Sequence, residues 1–131
     1  MPNRAMEFHD STFDGVVRER ANVTLRFSAA YIHQSEGKPG RDSGSGWVQE
    51  VQLHVGNAQL SGDIPELPCT LWDGDISLGG ESLQMIPIPL EYEGPVEINL
   101  EQNGHLRVKG NRVRLELKGK PTYVEEVRGS E

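Results

Sequence analysis

Apolar and polar residues alternate along most of this chain with a period of two, the spacing of a strand buried on one face. Val23, Leu25, Phe27, Ala29 and Tyr31 alternate with Thr24, Arg26, Ser28 and Ala30. Trp47, Val51, Leu53 and Val55 form a second run, and Val96, Ile98 and Leu100 a third. Leu106 and Val108, then Val113, Leu115 and Leu117, continue the pattern, and a last strand falls near Tyr123 to Val127. No segment carries a convincing helical period. Asp73-Gly74, Asn103-Gly104 and Gly110-Asn111 place residues tolerant of positive φ where tight hairpins need them. Gly56-Asn57, Gly79-Gly80 and Gly119-Lys120-Pro121 read as further turns. Strands joined by such short links are antiparallel neighbours. The expectation is therefore all-β: a single antiparallel, meander-rich barrel or sandwich of roughly nine or ten short strands, with a barrel-like form preferred because closure removes open edges.

Two segments depart from alternation. Residues 35–46 read S-E-G-K-P-G-R-D-S-G-S-G, expected as a mobile loop between two long strands because ordering so much Gly and Ser is entropically costly. Residues 86–90 read I-P-I-P-L, with the apolar residues on one face and the prolines on the other. Proline donates no ladder hydrogen bond, so an edge strand or extended crossover is expected. No internal repeat or domain boundary interrupts the chain, and 1–131 is read as one domain.

The stretch E-F-H-D-S-T-F, Glu7 to Phe13, sets His, Asp and Ser side by side. Neighbouring strand residues point to opposite faces, so the three cannot relay a proton among themselves. No G-x-S-x-G elbow occurs. Parity explains the stretch better. Met6 and Phe8 are even and Phe13 is odd, so the inward face changes between them. That requires a bulge or tight turn near Asp10 to Thr12, where Asp, Ser and Thr bond nearby backbone amides.

Composition narrows the function. The 131 residues suit one core, and 35% hydrophobic with 25% charged residues suits a sheet with one solvated face. The net charge of -7, weighted to the C-terminal half, repels phosphate backbones and anionic lipid, so neither nucleic acid nor membrane is an expected partner. Cys69 is the only cysteine, which forbids an internal disulfide. The polar start Met-Pro-Asn-Arg lacks an apolar targeting segment, and a cytoplasmic, bacterial-type protein is the simplest reading. The sequon Asn22-Val23-Thr24 is then a chance match.

Candidate chemistry is sparse. Asp73, Asp75 and Ser77 have the one-three-five spacing of a calcium loop, but Leu78 and Gln84 stand where Gly and Glu are required. His9, His33, His54 and His105 show no metal-ligand spacing, so no metal or cofactor is expected. Arg107, Lys109, Arg112, Arg114 and Lys118 make a basic run interrupted by Glu116 and faced by Glu97 and Glu101, which reads as a mixed-charge solvated face. Glu91 and Glu93 flank Tyr92 and read as solvated.

The strand F-H-D-S (Phe8 to Ser11), the following V-T-L-R-F (Val23 to Phe27) and the ending Y-V-E-E-V (Tyr123 to Val127) resemble small uncharacterised bacterial β-sheet proteins, some of them similar to toxin-immunity proteins. The resemblance implies a cytoplasmic, non-enzymatic binding protein and transfers no site residue. The expected function is engagement of a protein partner through His9, Asp10, Trp47, Trp72, Asp73 and Glu91, the tryptophans being chosen because aromatic residues dominate contact energies. Three alternatives stand beside it: a barrel holding a small apolar ligand, a hydrolase or isomerase using His9, and a homodimer through the 86–90 edge.

Overall fold

The computed structural model describes residues 2–129 and contains ten strands and no helix among them. They are β1 (Asn3–Glu19), β2 (Asn22–Ser35), β3 (Gly44–Gly56), β4 (Gln59–Gly62) and β5 (Cys69–Thr70) in the first half. The second half holds β6 (Asp73–Leu78), β7 (Glu81–Leu83), β8 (Met85–Ile88), β9 (Glu91–Glu101) and β10 (His105–Val127). All belong to one antiparallel sheet in the order β5-β1-β2-β3-β10-β9-β6-β7. β4 pairs with β10, and β8 pairs with β1.

The preferred barrel-like form is not what the chain adopts. The path of ladders starts at β5 and ends at β7, and no ladder joins the two ends. The sheet instead curls on itself like a sandwich. Phe8 of β1 lies against Gly74 of β6, and single bonds bridge the gap: Asp10 N–H to the Leu71 carbonyl (3.1 Å), Leu71 N–H to Ser11 (2.9 Å) and Trp72 N–H to Glu101 (2.9 Å). The inward faces close on one core, in which Phe27 packs against both Phe8 and Phe13 with ring centroids 5.7 and 5.4 Å apart. Burial of this apolar face, at ~25 cal/mol per Å², is the main stabilising term.

Several expected turns prove to be something else. Val108 and Val113 are both buried although their parity differs, and the switch occurs without a hairpin. β10 runs straight through Gly110-Asn111, with a register shift against β9 between Gly110 and Arg112. On its other side β10 changes partner there, from β4 at residues 106–109 to β3 from Arg112 onward. A Cβ on Gly110 would lie 2.5 Å from Val55 Cγ1 and 2.6 Å from the Gly56 carbonyl oxygen, so glycine permits the crossover. Gly119-Lys120-Pro121 is likewise a bulge within β10, lying in the register shift between Lys118 and Thr122. The Gly119 carbonyl accepts a bond from Gln49 Nε2 (3.0 Å). Asp73-Gly74 opens β6 rather than turning a hairpin, because Gly74 pairs with Leu100 and leaves room for the Phe8 ring. Consequently β10 has 23 residues, far from the short strands expected.

Other expectations hold. Asn103 (φ 53°) turns β9 into β10, and Gly79 and Gly80, both with positive φ, turn β6 into β7. β8 runs along the Arg4–Glu7 edge of β1, with Ile86 and Leu90 buried and the prolines outward. The Gly/Ser segment is shorter than 35–46, since Ser35 closes β2 and Gly44 opens β3. Within it Ser35 Oγ donates to the Ser43 carbonyl (2.8 Å), and the Lys38 amide donates to Asp42 Oδ2 (2.6 Å).

The bulge assignment at Gly110 gives a direct test. Gly110→Ala should destabilise the fold by about 1–3 kcal/mol, because a backbone carbonyl has to move. Gly104→Ala, where only the Gln102 carbonyl comes within 3.9 Å, should stay within about 0.5 kcal/mol. Equal costs in chemical denaturation would refute the crossover role.

Candidate functional site

The expected break in β1 is present and is the origin of the site. Asp10 adopts φ 68°, and the register against β2 shifts between Glu7 and Thr12 and again on either side of Phe13. Ser11 is thereby turned inward and fully buried. Its hydroxyl donates to the Glu7 carbonyl (2.5 Å) and accepts from the Tyr31 amide (2.9 Å), so it replaces ladder bonds that the bulge removes. The hydroxyl is thus committed to backbone and faces away from His9 and Asp10, which are exposed.

Opposite the bulge, Leu71 is buried and Trp72 therefore projects outward, with 59% of its surface exposed. Its backbone is held on both sides: the amide donates to Glu101, and the carbonyl accepts from His9 Nδ1 at 2.6 Å. His9 Nε2 stands 3.4 Å from Asp10 Oδ2. Nδ1 therefore carries a proton toward the Trp72 carbonyl, and Nε2, on the exposed side of the ring, has the Asp10 carboxylate beside it. The His9 pKa is raised, first by the Trp72 carbonyl bond, which outweighs the opposing effect of burial, and then by Asp10, Glu7 and Asp73. Asp73 follows on β6, its Oδ1 accepting from the Gly74 amide (2.8 Å). Beside Trp72 an open groove of about 680 Å³ runs along Pro65 to Thr70 and the Gln102-Asn103 turn. Cys69 lies in it, and burial pushes its thiol pKa up, away from a reactive thiolate.

Four of the six expected contact residues therefore converge: His9, Asp10, Trp72 and Asp73. The other two lie elsewhere. Trp47 on β3 is half-buried, donates to Ser45 Oγ (2.8 Å) and packs edge-on against Tyr123 with centroids 5.4 Å apart. Glu91 opens β9 directly opposite Arg114, at the far end of that strand from Glu101.

Sequence reasoning missed a cluster flanking the bulge. Glu7 Oε1 lies 3.3 Å from His33 Nε2, the Tyr31 and His33 rings are 5.0 Å apart, and Tyr31 O–H donates to Glu125 Oε1 (2.7 Å). Burial first and the Glu125 bond second push the Tyr31 pKa up. The alternation of Tyr31 and His33 on one face was the available signal. It also missed His54, whose two nitrogens contact Thr24 Oγ1 (2.9 Å) and Glu116 Oε1 (2.8 Å). The His54 bond is the main reason the Glu116 carboxyl is held below its ordinary pKa.

Comparison of the chain with protein-family models, curated proteins and solved structures returned no match. Any functional reading rests on the geometry itself.

Two measurements test this site. Ser11→Ala leaves the Tyr31 amide and the Glu7 carbonyl without their partner and should cost about 1–3 kcal/mol. A loss below that range would mean that the backbone repairs itself. For His9, a raised folded pKa stabilises the fold fully below the unfolded value of 6.5 and is lost as pH rises through the folded value. The Tm advantage of wild type over His9→Gln should therefore shrink across that interval. An imidazole titrating at or below 6.5 by NMR would contradict the geometry.

Proposed function

We propose that this chain is a non-enzymatic binding protein whose Trp72 edge engages a protein partner carrying basic charge, in the manner of an immunity protein, in the cytoplasm of a bacterium. The observation that carries the reading is the exposed Trp72 on a backbone fixed from β1 and β9. A large aromatic side chain on a rigid segment contributes contact area at small entropic cost, and such residues dominate interface energies. Asp10, Glu7 and Asp73 bring negative charge to His9, whose ring is bonded to the Trp72 carbonyl, and the net charge of -7 attracts a basic surface from a distance. The Pro65 to Thr70 groove beside it offers a partner side chain a recess.

The rival readings find less support. The space an apolar ligand would occupy is filled by Phe8, Phe13, Phe27 and their neighbours. His9 Nδ1 is bound to the Trp72 carbonyl and Asp10 stands beside Nε2, so no side-chain nucleophile contacts the ring. Ile86 and Leu90 are buried in this chain's own core, which leaves the 86–90 edge less apolar surface to offer a second copy.

Affinity capture with wild-type and Trp72→Ala baits tests the proposal. Wild type should retain a basic protein at low salt and release it as salt is raised. Trp72→Ala should bind that protein at least ~30-fold more weakly, a loss of about 2 kcal/mol, while unfolding within about 0.5 kcal/mol of wild type. Equal retention by both baits would sink the reading.

A further inference from the structure

A second concavity lies at the other end of β9, on the solvated face of the sheet, and is independent of Trp72. It is a groove of about 410 Å³, within the size range of small-molecule sites. Its floor comes from strand register. Thr24, His54, Arg114 and Glu91 stand directly abreast on β2, β3, β10 and β9. One step along, Gly56, Arg112 and Glu93 stand abreast on β3, β10 and β9. Val55 and Val113, between these rows, are buried in the core, so the rows themselves face outward.

The charges in this groove are left open where the same ladder closes them elsewhere. Further along β9 and β10, Glu97 Oε1 sits 3.6 Å from both Arg107 Nε and Lys109 Nζ. Arg114 and Arg112, although directly opposite Glu91 and Glu93, form no such ion pair among the described residues. The cause at Arg112 is visible. Its Nε and Cγ occupy the space where a side chain at Gly56 would stand, so the arginine leans over β3, away from Glu93 on β9. His54 offers no free nitrogen to a ligand, since Thr24 and Glu116 contact both. The groove therefore presents two guanidinium groups in its middle, with Glu91 and Glu93 on the β9 flank and Glu19 on the β1 flank.

The geometry points to a binding site for a small zwitterion, with its carboxylate held by Arg112 and Arg114 and its ammonium held by Glu91 and Glu93. Gly56 is the positioning element: it lets Arg112 lie flat and so keeps the two halves of the site apart. A simple anion would meet the two glutamates, and a simple cation the two arginines, so each half alone binds weakly.

NMR titration of the full chain with γ-aminobutyrate, butyrate and butylammonium, each to about 10 mM, tests this. γ-Aminobutyrate should shift the amides of Gly56, Arg112 and Arg114 and bind about tenfold more tightly than either single-charge probe. Arg112→Ala and, separately, Arg114→Gln should each weaken that binding about tenfold, and Glu91→Gln with Glu93→Gln should do the same from the other side. Glu97→Gln, in the closed pair, should leave it unchanged. Absence of shifts with γ-aminobutyrate overturns the proposal. So does butyrate or butylammonium binding as well as the zwitterion, or binding that survives both arginine variants.

Discussion

The Ser11 hydroxyl and the left-handed Asp10 before it are the constraint on which the rest of the molecule depends. A strand has a fixed side-chain period of two, so Phe8 and Phe13 cannot both face inward on a regular β1. One residue has to be displaced, and displacement leaves backbone groups without partners. Ser11 supplies both a donor and an acceptor at that point, which makes the displacement tolerable inside a dry core. With it in place, both phenylalanines reach Phe27. The same distortion turns the Asp10 amide and the Ser11 carbonyl toward Leu71, and that pairing decides where Trp72 emerges. Core packing, sheet curl and the exposed aromatic edge thus follow from one local break.

Parity made this break legible in the sequence, and it made the one between Val108 and Val113 equally visible. Yet the second was read as a hairpin. A Gly-Asn pair permits unusual backbone conformations in a bulge and in a turn alike. What separates the two is whether the chain has partners on both flanks. At Gly110 those partners are β9 on one side and the β4-to-β3 handover on the other, contributed by residues distant in sequence. Gly119 was misread for the same reason, and Asp73-Gly74 for a related one, since Phe8 from β1 explains the glycine. Local composition specifies where the backbone bends; only the long-range pairing specifies what the bend accomplishes.

The candidate site divides along the same line. His9, Asp10, Trp72 and Asp73 were identifiable as polar or aromatic residues at breaks in the pattern, and breaks on neighbouring strands gather where the sheet folds over. Trp47 was chosen on residue type alone, and its neighbour Tyr123 arrives from the end of β10 to cover one edge of it. Arg112 and Arg114 carried a sequence signal indistinguishable from that of Arg107 and Lys109. The difference lies in Gly56, on another strand, whose missing side chain draws Arg112 away from Glu93. No reading of the basic run by itself contains that information.

A filled core moves any binding role to the outside of the sheet, and the outside is not electrostatically uniform. In the proposed complex the acidic groups near Trp72 would act together with the overall charge to favour rapid encounter with a basic surface, while the aromatic contact would govern how long that complex lasts. At the other end of β9, opposite charges lie side by side and largely cancel at a distance, so they favour recognition only at short range and by shape. As pH falls, protonation of His9 tempers the first surface without reversing its sign, because Asp10, Glu7 and Asp73 all act on that one ring. A basic partner of the kind proposed would therefore be directed by long-range charge to the Trp72 edge rather than to the groove, and the two proposed surfaces would not compete.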